Sequence, residues 1–239
     1  MVNKKILLAL TTDSGTKAWK DKIKEIDELG ITEISLFPTP LGRSERNELY
    51  ALLEKTGLKS IPHVHLREQD TGREEINYFI KRYKTKVFNF HPSEKSVEFI
   101  KKNKDLKSII FLENLNEIPL NFEEMLENFG GICLDFSHYK DFGLMQNEKS
   151  YANFEKLLDK TKIGCNHISA IKKTIQYGED KQSNRLIRGY NDHLFSNLSE
   201  FDYLKEMPKK YFSDYILIEL ENPLAEQLKV KEYLEKIIL

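Results

Sequence analysis

The chain has 239 residues, of which 37 are basic and 38 acidic, for a net charge of −1. That length is enough for one large domain with a substantial core, and the balanced charge excludes a basic footprint spread over the whole chain. Two cysteines, Cys133 and Cys165, are too few for a disulfide framework and point to a reduced, cytoplasmic setting.

The start, "MVNKKILLALTTDSG", sets lysines ahead of an apolar run. That run is short and no small-residue cleavage site follows, so it reads as a first strand and not a leader. No stretch approaches the length of a membrane span. In chain order the strand candidates are "KILLALT", "ITEISLF", "SIPHVHL", "KVFNFH", "SIIFLEN", "GICLDF", "IGCNHIS" and "YILIELE". Between them lie segments of helical periodicity: "TKAWKDKIKEIDELG", "SERNELYALLEKTG", "REEINYFIKRYK", "EKSVEFIKKNK", "NFEEMLENFGG" and "YANFEKLLDKT". Several of these close on glycine, as helix ends do.

Strands alternating with helices give either a (β/α)8 barrel or a doubly wound sheet. No glycine-rich phosphate turn follows the first strand, and the strand count favours the barrel. The expectation is α/β: residues 1–239 as a single TIM barrel domain. One segment breaks the rhythm. Lys172 to Arg188 is polar, follows the seventh strand, and carries Lys172, Lys173, Lys181, Arg185 and Arg188. It reads as a long loop, either clamping a phosphate or simply solvated.

Alternate residues of a barrel strand point inward, and active sites lie at the C-terminal strand ends. The inward sets are then Ile61, His63 and His65; Val87, Asn89 and His91; Ile109, Phe111 and Glu113; Cys133 and Asp135; Cys165 and His167; and Leu217, Glu219 and Glu221. With His138 and His193 in the following loops, all six histidines of the chain gather at one rim. Alone, any of these histidines reads as a hydrogen-bonded core residue, Glu221 as a solvent-facing acid, Asp192 as a helix cap, and both cysteines as small core residues. Together, Glu113, Asp135, His167 and Glu219 from four consecutive strands have the chemistry of a divalent cation site. So many nitrogens favour Zn²⁺, Mn²⁺ or Fe²⁺ over Mg²⁺.

At "LEN", "LDFSH", "NHIS" and "LIELE" the chain resembles the xylose isomerase-like TIM barrel superfamily, which includes sugar-phosphate isomerases and epimerases and AP endonuclease family 2 (endonuclease IV). The resemblance implies a metal site at the C-terminal rim made by Glu113, Asp135, His167 and Glu219. "PHVHL" and "NFHPS" resemble the endonuclease branch, which implies His63 and His91 as ligands of an additional metal. "YNDHLFSNLSEFDYL" resembles a later segment of that branch, with His193 as ligand and Asp202 as its late aspartate. It departs from the pattern at Asn191 and at Asn197-Leu198-Ser199, which leaves a third metal on His138, Asp192 and His193 open.

Two activities and one non-catalytic role follow. A metal-dependent isomerase or epimerase of a small sugar or sugar phosphate would use Glu113 and Glu219 as general base and acid. His138 would bond a substrate oxygen, and His65, Arg67, Lys172, Arg188 and Asp192 would contact substrate. An endonuclease IV-like phosphodiesterase would instead cut abasic DNA with two or three metals. A barrel that only binds a metal or metabolite is the remaining alternative. Oligomeric state is not legible.

Overall fold

The computed structural model describes residues 4–13, 16–180 and 185–239. Eight parallel strands close into a barrel: β1 (Lys5–Thr11), β2 (Ser35–Phe37), β3 (His63–His65), β4 (Val87–Phe90), β5 (Ile110–Glu113), β6 (Ile132–Asp135), β7 (Ile163–Ile168) and β10 (Tyr215–Ile218). Each pairs with its neighbours, and β10 returns to lie between β7 and β1. The helices α1 (Trp19–Glu28), α2 (Arg43–Leu53), α3 (Arg73–Tyr83), α4 (Glu94–Lys102), α5 (Phe122–Leu126), α6 (Phe136–His138), α7 (Phe154–Lys160) and α8 (Leu224–Ile238) lie in the connections and after the last strand. Several strands are shorter than the apolar runs that announced them.

Strand alternation divides the core in two. Leu7, Ala9, Phe37, Val87, Phe111, Cys133, Cys165 and Leu217 fill the barrel interior. The residues between them, such as Ile6, Leu8, Val64, Phe88, Ile132 and Ile216, pack outward against the helices. The helices answer at three- and four-residue spacing: Ile23 and Ile26 of α1, Leu49 and Leu53 of α2, Ile76, Phe79 and Tyr83 of α3. Gly131, at φ +136°, enters β6; a Cβ there would stand 2.1 Å from the Lys162 carbonyl, so only glycine admits this approach to β7.

The segment expected as a polar loop after β7 is a β-hairpin. Its arms are β8 (Ala170–Asp180) and β9 (Arg185–Asp192), antiparallel and apart from the barrel sheet. Lys181 lies outside the described residues. Periodicity carries no signal over the outer part of the first arm, where Lys173, Thr174, Gln176 and Tyr177 are all exposed. No helix among the described residues is long and apolar enough to cross a membrane.

Candidate metal centre

Parallel register brings the acidic and imidazole side chains together at the top of the barrel. Asp135 pairs with His167 across β6 and β7, and Leu217 pairs with His167 from β10, which sets Glu219 two residues above. Glu113, Asp135, His167 and Glu219 each present a ligand atom, all within 4.8 Å of one another. His167 Nδ1 lies 3.4 Å from Glu113 Oε1 and 3.0 Å from Glu219 Oε2. Neither approach has hydrogen-bond geometry, so both ring nitrogens of this fully buried imidazole lack a partner. Buried polar atoms are seldom left so. Three converging carboxylates and a neutral imidazole, whose single lone pair no hydrogen bond claims, fit a divalent cation. One nitrogen enters this set of four, and a second group, His65, Glu113 and His167, holds two.

Neighbours orient each donor. One oxygen of Asp135, Oδ1, is taken by Ser137 Oγ–H and by the His138 amide at 2.9 Å, which leaves Oδ2 toward the site. Asn114 bridges strand ends: its carboxamide oxygen accepts the Asp135 amide at 2.8 Å and its NH₂ donates to the Asp135 carbonyl at 3.0 Å. The Asn89 NH₂ donates to Glu113 Oε2 at 2.5 Å. At Glu113 and His167 burial works against charge, but opposite charges override it. Burial alone would raise the Glu113 carboxyl, yet His167 and His65 hold it well below its usual range. For His167, burial is likewise outweighed by Glu113 and Glu219, which hold the imidazolium well above its ordinary value.

The remaining expected residues fall in different places. His65, expected at the substrate, lies with Nε2 2.9 Å from Glu113 Oε2 and groups with Glu113 and His167. The His91 ring packs edge-on against His65 at 4.6 Å between centroids. His63, expected as a ligand, sits a layer deeper, with Nε2 2.7 Å from Asn89 Oδ1. His138 directs Nδ1–H to the Asn114 carbonyl at 3.0 Å, and His193 stands 4.0 Å from Glu219 Oε1 with its side chain 37% exposed. Lys172 is bound to Glu200 at 3.0 Å and lies 3.8 Å from Asp192, which itself accepts the Leu194 amide. Arg67 donates to the Thr39 carbonyl at 2.7 Å and pairs with Asp70 at 3.3 Å. Arg188 is exposed on the hairpin opposite Tyr177. The carboxamides Asn89 and Asn114 were not singled out. Asn89 was legible as an inward residue one step below a strand end, whereas the role of Asn114 depends on a loop conformation.

No protein-family model and no curated protein sequence matches the chain. Among solved structures, a xylose isomerase-like TIM barrel protein from Mycobacterium smegmatis, in complex with magnesium, superposes with a TM-score of 0.51. The match covers 98% of this chain and 96% of that one at 12% identity. The likeness is one of fold. An AP endonuclease of family 2 from Brucella melitensis matches at a TM-score of 0.48 and 10% identity, over 97% of this chain and 96% of that one.

Proposed function

We propose that this chain is a divalent-metal-dependent isomerase or epimerase of a small sugar, with Glu113 and Glu219 as its proton-transfer pair. The observation that carries the reading is that these two carboxylates meet His167 from the end of β5 and from just past β10, at 3.4 and 3.0 Å, with Asp135 beside them. Glu113, Asp135, His167 and Glu219 would hold the cation, and the magnesium of the Mycobacterium smegmatis protein supports a divalent ion on this fold. Bound there, it would polarise a carbonyl oxygen and stabilise developing negative charge. One glutamate removes a proton from the carbon beside the carbonyl; for epimerisation the other returns a proton to the opposite face of that carbon, and for isomerisation a proton is returned to the former carbonyl carbon while the hydroxyl proton passes between the two oxygens. His138 Nδ1 is spent on the Asn114 carbonyl, so Nε2 remains for a substrate oxygen.

Two of the three cations that could hold a phosphate are engaged within the protein, which favours an uncharged substrate. Lys172 is held by Glu200 at 3.0 Å, and Arg67 bonds the Thr39 carbonyl and pairs with Asp70, which Arg46 also holds; Arg188 is exposed. The test incubates metal-loaded protein with a panel of unphosphorylated ketoses in D₂O. Deuterium is expected at the reacting carbon, and Glu113→Gln and Glu219→Gln are each expected to slow its entry about 100-fold or more. No exchange across the panel would overturn the reading.

One observation favours a second reading, a phosphodiesterase of the endonuclease kind. His65 at 2.9 Å from Glu113, with the His91 ring against it, puts two further imidazoles beside a carboxylate already shared with His167. An abasic-site oligonucleotide cut by the wild-type protein but not by Glu113→Gln, with no sugar exchange, would select it.

A further inference from the structure

The structure carries an inward-pointing chain from His63 through Asn89 to Glu113 whose proton order is set by chemistry alone. A carboxylate has no proton to give, so the amide group facing Glu113 Oε2 at 2.5 Å must be the Asn89 NH₂. The Asn89 carbonyl oxygen then faces His63 Nε2 at 2.7 Å, and an acceptor there requires Nε2–H. His63 is buried with Nδ1 unpartnered, as that tautomer leaves it. All three side chains are buried on adjacent strands, His65 pairing with Asn89 across β3 and β4.

We infer that His63 and Asn89 are positioning residues: His63 fixes the orientation of the Asn89 amide, which holds the Glu113 carboxylate for the cation, and His63 is not itself a ligand through Nε2. The inference rests on the metal reading of the site and adds to it a mechanism by which the donor is aimed. An Asn89 free to turn would present its oxygen to Glu113 and repel it.

Two measurements test the chain. In the metal-free protein, long-range proton–nitrogen correlation spectra of the histidine rings, assigned by the signal lost in His63→Gln, are expected to show His63 as the Nε2–H tautomer. A Nδ1–H tautomer would overturn the inference. In the second, Co²⁺ affinity is measured by competition with a chelator and read from the visible absorption of the bound ion. Asn89→Leu and His63→Leu are each expected to weaken it about 10- to 100-fold, while His63→Gln, which keeps an N–H donor, restores most of the loss. Unchanged affinity in both leucine variants, or loss in His63→Gln as deep as in His63→Leu, would overturn the positioning role. Failure of the unaltered protein to take up Co²⁺ would overturn the metal reading instead, because the tautomer is read without metal.

Discussion

Lys22 lies on the buried face of α1, its ammonium donating to Thr11 Oγ1 at 2.6 Å and to the Leu220 carbonyl at 3.2 Å. Burial lowers its pKa to about 8, against the pull of Glu221 and Glu25. Both bonds sit where β1 ends beside the segment that carries Glu219, so this residue bears on the site through the backbone and not by contact. The sign of its pH effect follows from linkage. Between about pH 8 and the ordinary lysine value of 10.5 the unfolded chain binds more protons at this position than the folded one. The contribution of Lys22 to stability therefore rises with pH across that window. Urea unfolding of the wild type and Lys22→Met at about pH 7 and about pH 10 is expected to shift the stability difference toward the wild type by about 2 kcal/mol at the higher pH. A difference that does not vary with pH would show that the ammonium is not desolvated.

The hairpin is held at its base by one acid. Its ladder shifts register between Ile171 and Gln176, opposite Gly189 to Asn191. There Asp141, fully buried in the π-helical turn Tyr139–Met145 after β6, accepts the Tyr190 amide at 2.7 Å and the Asn191 amide at 2.9 Å. The same oxygen would lie 2.5 Å from a Cβ at position 189, so Gly189 is what allows the strand this close. Asp141→Ala and Gly189→Ala are both expected to raise amide exchange at Tyr190 and Asn191 about tenfold or more, the equivalent of roughly 1.4 kcal/mol. Exchange in β4, β5 and β6 is expected to stay unchanged. Equal acceleration everywhere would mean that the acid supports the whole barrel. This element also marks where sequence reading stops. Strict alternation in "GICLDF" and "IGCNHIS" placed Asp135 and His167 inward because one face of each strand is a side-chain core. The stretch from Lys172 to Tyr177 has no such face, and the bond that fixes it comes from a residue in another connection. For the same reason alternation brought both His63 and His65 to the interior but not the layer each occupies, which depends on how the strands are staggered.

A barrel lasts only if its first and last strands stay joined, and here the seam is partly made of side chains. β1 pairs with β10 through Lys5–Leu8 and then turns to pair with β2 through Ala9–Thr11. Beyond Leu8 the gap toward the segment after β10 is filled by Gln227 of α8, a helix that the segment-by-segment reading of the sequence did not mark out. Its side-chain oxygen accepts the Ala9 amide at 2.9 Å, and its NH₂ donates to the carbonyls of Asn222 at 2.9 Å, Leu220 at 3.0 Å and Ala9 at 3.1 Å. One buried carboxamide thus substitutes for a missing rung and fixes the turn that follows Glu219. In Gln227→Leu the Ala9 amide, the Ala9 carbonyl and the Asn222 carbonyl would lose this partner, each at about 1–3 kcal/mol, while the Leu220 carbonyl keeps Thr11 Oγ–H and Lys22. The expected loss is therefore about 3 kcal/mol or more in urea unfolding. Because Glu219 leads into this turn, the variant is also expected to bind a divalent ion more weakly than the wild type under conditions where both are fully folded. Loss of stability with unchanged ion affinity would separate closure of the barrel from placement of Glu219.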